Sequence, residues 1–193
     1  MAGADRGRWQ LLLALALVAP FSGCIAFSGD GPTGLTALEA VEHAERIEDI
    51  PGPAQAVHAA TVGTLGMSNR GHAITQQGQA ALWLITLEAP NATVSWSVLV
   101  PAGGEPEVHQ QPGPNTSRDP LPDGLLDSDR ALQLAAGEQG FGPIQAPGMG
   151  ISMDLEVDPE AGPVWRILAW TEQDQRVVQV DARTGHILRT PPP

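Results

Sequence analysis

Apolar positions along this chain change their spacing several times, and each change marks an element. Ile151, Met153, Leu155 and Val157 alternate strictly with Ser152, Asp154 and Glu156, the pattern of a strand with one buried face. Val164–Trp170 is dense in β-branched and aromatic residues and reads as a second strand. Thr171–Arg176 is polar enough to be the connection to a third, in which Val178 and Val180 point one way and Gln179 and Asp181 the other. A tight turn follows. Asp181 accepts backbone N–H groups there and Gly185 takes the positive φ that closes it, with Ile187–Leu188 as a short extended piece. Earlier in the chain, 81–87 and 93–100 predict another pair of strands, each containing a tryptophan (Trp83 and Trp96).

Helical spacing occurs twice. Thr36–Ile47 opens with a capping box, Thr36 and Glu39, and carries an apolar stripe of Leu38, Val41, Ala44 and Ile47 before Pro51-Gly52-Pro53 ends it. A second helix starts at 127, capped by Asp127 or Ser128, and ends at Gly137 or Gly140. Residues 54–67 fit a helix or a strand equally, and 68–79 are polar. Residues 101–126 are rich in proline and glycine and read as a connector or long loop.

The two halves repeat this order of elements. A shift of 82 positions lays Trp83 on Trp165, Ile85 on Ile167, Val98 on Val180 and Gly103 on Gly185, while the helices coincide at 94. The expected fold is therefore α+β, two similar units, each a helix packed on a small antiparallel sheet. The units span 35–104 and 127–189, with 105–126 as the connector.

The N-terminus reads as a targeting segment. Arg6 and Arg8 precede an apolar run, Leu11–Val18, and Phe21-Ser22-Gly23-Cys24 follows. That tetrapeptide resembles the lipobox of prokaryotic lipoproteins, although Phe21 stands where the pattern prefers an aliphatic residue. The resemblance implies removal of 1–23, lipidation of Cys24, a tether over 24–34 and a location on the extracytoplasmic face of the cell membrane. An uncleaved anchor over Trp9–Phe27 is the alternative, weakened by Pro20, Ser22 and Gly23. Cys24 is the sole cysteine, so no internal disulfide exists.

Charge then narrows the partners. The whole chain carries a formal −12, and loss of Asp5, Arg6 and Arg8 takes the remainder to −13. Nucleic acid is a poor partner for such a surface. All ten basic residues are arginine, and tyrosine is absent.

Residues 127–189 resemble the PepSY domain, a small module of protease propeptides and of many secreted or membrane-anchored prokaryotic proteins. The likeness rests on Arg130-Ala-Leu-Gln-Leu-Ala-Ala136, on the Trp165–Trp170 strand, and on Val177-Val-Gln-Val-Asp-Ala-Arg-Thr-Gly-His-Ile-Leu188. The first half lacks an aspartate at the place of Asp181. The resemblance implies a non-catalytic, protein-binding or peptidase-inhibitory role, with a peptidase or membrane protein as partner, and it assigns no catalytic residue and no cofactor.

Candidate chemistry is sparse. Asp154, Glu156 and Asp158 share a strand face and have the oxygen ligands a hard cation needs, but a solvated face, where water screens like charges, explains them better. A cation- or small-ligand-binding lipoprotein using its acidic surface is thus the second functional reading. The five histidines have no metal-ligand spacing. The tryptophans suit a sheet–helix interface better than a ligand groove. Asn91 and Asn115 stand in glycosylation sequons, tripeptides that also arise often by chance.

Overall fold

A computed structural model of the chain describes residues 34–62, 74, 77–90, 94–113, 118–138, 150–170 and 175–188. Its elements are α1 (Ala37–Glu45), β1 (Gln55–Thr61), β2 (Leu82–Glu88), β3 (Val94–Pro101), β4 (Glu107–Pro112), α2 (Ser128–Ala136), β5 (Gly150–Asp158), β6 (Gly162–Trp170), β7 (Gln175–Asp181) and β8 (Ile187–Leu188). All eight strands belong to one antiparallel sheet in the order β4-β3-β2-β1-β5-β6-β7-β8.

This corrects the expected pair of helix-on-sheet units. The fold is sheet-dominated, with two short helices among the described residues, and the sheet runs unbroken from one half of the chain into the other. The join is the pairing of β1 with β5, His58 opposite Glu156 and Ala60 opposite Asp154. Each of these strands would otherwise end a four-stranded sheet with a row of free backbone N–H and C=O groups, and pairing them satisfies both rows at once.

The repeat survives in register. Ile85 faces Ala59 and Val98 in the first half, while Ile167 faces Met153 and Val178 in the second. By that correspondence Ala60 and Asp154 occupy equivalent positions, and they pair with each other, so a local two-fold axis passes between them. The shift of 82 holds for β2 and β6, but the return strands need 80, because the second hairpin is two residues shorter between paired isoleucine and valine. The helices coincide at 91, since Ala37, Ala40 and Ala44 correspond to Ser128, Ala131 and Ala135, all fully buried.

Both helices lie on one face of the sheet, α1 over β1–β3 and α2 over β6 and β7. Between them and the sheet sit Trp83, Ile85, Val98, Leu132, Met153, Leu155, Trp165 and Ile167, all removed from solvent. Alanine on the inner helix faces lets the backbones approach the sheet closely. The α1 stripe therefore differs from the expected one: Ala37, Ala40 and Ala44 face the sheet, and Leu38 and Val41 stand half-buried to one side. The connector contributes β4, whose side chains are all exposed and which pairs with β3 alone.

Candidate functional site

The two helices begin side by side, and their first turns share acceptors. Asp127 is the N-cap of α2, and its Oδ1 accepts the N–H of Ser128 at 2.7 Å. The same oxygen accepts the N–H of Leu38, in the first turn of the other helix, at 3.1 Å. Beside it, Ser128 Oγ accepts the N–H of Ala37 at 3.0 Å and donates to the carbonyl of Gly78 at 2.7 Å. Helix N-termini leave backbone donors unpaired and carry partial positive charge, so one carboxylate and one hydroxyl neutralise two helices. Gly78 is required there: its φ is +73°, and a Cβ would stand 2.3 Å from Asp129 Cα.

A groove of about 660 Å³ opens beside this junction, between α1 and the segment 121–127. Leu38, Val41, Leu121 and Leu125 form its inner wall, half-buried or buried. Its rim is acidic. Glu39, Glu42, Glu45 and Asp123 are exposed along it, and Asp127 closes one end. Three of these carboxylates are fixed by backbone donors: Glu39 takes the N–H of Thr36 at 2.8 Å, Glu45 that of Ala56 at 2.9 Å, and Asp127 those already described. Glu42, at the rim, pairs with the exposed Arg46 one turn on. The opposite wall is held by two anchors. Leu121 N–H donates to Ala56 O at 2.7 Å, and Arg118 reaches the buried Glu88 through Nε at 3.1 Å and through its backbone N–H at 3.2 Å.

The other face of the sheet carries the acidic residues of β5. Arg166 lies opposite Asp154 on β6 and binds Glu156 at 2.5 Å and Asp158 at 3.5 Å. His58 Nε2 lies 4.0 Å from Asp154 Oδ1, beyond hydrogen-bond reach. Burial pushes the His58 imidazole below its ordinary pKa, against the pull of Asp154 and Glu156. Burial likewise raises the Asp154 carboxyl, against the opposing pull of His58. At the equivalent place in the first half, Ala60 faces Leu84, so one backbone register carries apolar contacts on one side of the axis and charges on the other. Among the described residues no group of three histidine, cysteine or acidic side chains comes together as a metal site.

The residues singled out from sequence are scattered. Asp181 Oδ1 accepts the N–H groups of Arg183 at 2.8 Å and Thr184 at 2.9 Å, and Gly185 follows with φ +77°. Those bonds hold the Asp181 carboxyl below the usual range, Thr184 contributing most. This turn does not line the groove but braces the segment behind it, where Ala182 O accepts the N–H of Leu126 at 2.7 Å. Cys24, Asn91 and Asn115 fall outside the described residues, as do 1–23 and His72. The sequence did not reveal the groove, because its walls are 76 or more positions apart in the chain. It did offer Asp127 as a cap, but not as a cap for two helices.

No protein family matches this chain, and no curated protein or solved structure matches it either. No helix among the described residues is long and apolar enough to cross a membrane.

Proposed function

We propose that this protein is a lipid-anchored extracytoplasmic lipoprotein whose PepSY-like part binds a protein partner without catalysing a reaction on it. The groove beside α1 supports this reading most directly. It combines half-buried aliphatic side chains with a rim of carboxylates, three of them fixed, and its volume, within the roughly 300–1,000 Å³ usual for small-molecule sites, suits a few side chains of a partner. The lipobox-like Phe21–Cys24 and the acidic remainder support a tether outside the cell. The second reading is a cation- or small-ligand-binding lipoprotein, for which the same carboxylates would be ligands.

A photo-crosslinker attached at Glu42→Cys in the full chain, in its native membranes, tests the first reading against a control attached at Glu107→Cys on β4. A discrete protein adduct from the groove position alone supports it. Equal labelling from both positions, or none from either, overturns it. A calcium-dependent rise in melting temperature without an adduct favours the second reading.

A further inference from the structure

We infer that the groove between α1 and residues 121–127 receives a basic amphipathic peptide segment of the partner, apolar side chains against Leu38, Val41 and Leu121 and arginine or lysine heads at the carboxylate rim. The inference rests on the binding role proposed above and names the chemistry of the bound segment.

Charge decides the class of occupant. The two helix N-termini bring roughly half a positive charge each, and Arg46 adds one. Against them stand Glu39, Glu42, Glu45, Asp123 and Asp127, which leaves roughly three net negative charges at the mouth. An anionic segment would therefore approach against the field, a neutral one without its help, and a cationic one with it. Fixation matters as much as sign. Glu39, Glu45 and Asp127 are held by backbone donors, so their free oxygens are placed before any ligand arrives and little ordering entropy remains to be lost. Carboxylates on a mobile loop would not offer that. The apolar wall makes a bare hydrated inorganic cation a poor occupant, because Leu38 and Val41 would stay wet on one side. Long basic side chains suit this geometry, since their aliphatic stems cover apolar surface while their heads reach the rim.

The probe is a short fluorescent peptide of alternating arginine and leucine, titrated against the full chain in detergent, beside a peptide with glutamate in place of arginine. The arginine peptide is expected to bind, to weaken steeply with salt, and to lose roughly tenfold in affinity when Glu42→Gln and Asp123→Asn are combined, the effect of two rim ion pairs. Glu107→Gln and Asp158→Asn remove the same charge away from the groove and should change little. Equal binding of the glutamate peptide, or an equal loss with the distant pair, overturns the inference. If the arginine peptide does not bind but Glu42→Cys still yields a discrete adduct, the cationic segment is wrong and the binding role stands. If neither occurs, both fall.

Discussion

Trp83 and Trp165 make the same bond in the two halves of the chain. Each indole Nε1–H donates, at 2.8 Å, to the carbonyl of the leucine two residues ahead of a helix, Leu35 for α1 and Leu126 for α2. Both rings are fully buried, so each ties a helix start to a strand through a hydrogen bond whose donor is removed from water. Trp165→Phe should cost about 1–3 kcal/mol, because the Leu126 carbonyl loses its indole donor, and Trp83→Phe should cost less, because Leu35 O also accepts the N–H of Ala80 at 2.9 Å. Urea denaturation is expected to rank the two losses in that order, and a larger loss for Trp83→Phe would contradict it.

Asp127→Ala removes the acceptor shared by Ser128 and Leu38, and the expected loss is about 2–3 kcal/mol, above the roughly 1 kcal/mol of an ordinary cap. Asp127→Asn keeps an acceptor oxygen and should recover most of it. Circular dichroism during thermal denaturation reads both. A loss no larger than that of an ordinary cap would show that Leu38 does not depend on this carboxylate.

Gly78 and Gly52 have similar positive φ values, +73° and +82°, but different surroundings. Nothing lies within 4 Å of a Cβ at Gly52, so Gly52→Ala should cost about 1 kcal/mol of backbone strain. Gly78→Ala also drives a methyl into the backbone of Asp129 and should cost about 3 kcal/mol or more, separating the helix starts. Equal melting temperatures for the two variants would contradict the close packing at the junction.

The pH dependence of stability has a sign fixed by His58. Burial lowers its pKa below 6.5 in the folded chain, so between the two values the unfolded chain binds more protons. Stability is full above about pH 6.5 and declines as pH falls toward the folded value. Asp154, raised above 3.8, acts oppositely: the folded chain binds its proton first, and stability recovers as pH falls through the raised value. His58→Gln should flatten the melting curve between about pH 7 and 5. An unchanged slope would mean that the imidazole is not desolvated.

On the proposed lipid anchor, Cys24→Ala should release the protein from the membrane fraction or leave it unprocessed, and fractionation of cells distinguishes these from a protein that never depended on the cysteine. Retention of a processed chain in the membrane would show that another segment anchors it.

Strands with a wet face and a dry face were legible in the sequence. Ile151, Met153 and Leu155 alternate because one side of β5 is core and the other carries Asp154 and Glu156. By contrast, β4 left no signal, since Glu107–Pro112 is exposed throughout and is held by its pairing with β3 rather than by burial. Residues 54–67 were ambiguous for the opposite reason. β1 is flanked by strands on both sides, and its alanines, nearly buried on both faces, carry neither period. The continuous sheet was hidden because nothing in β1 or β5 alone announces the other. Arg166 could have been placed near the acidic residues from its position opposite Asp154 in the expected hairpin, but the groove needed the three-dimensional path of 118–127.

Because Asp127 serves a helix 89 positions earlier in the chain, order of synthesis has a consequence. A ribosome delivers α1 and β1–β4 well before the carboxylate that completes α1 or the strand that covers β1. Until α2 and β5 emerge, the nascent first half presents an unfinished helix start and a bare strand edge, the kind of surface that a chaperone would shield.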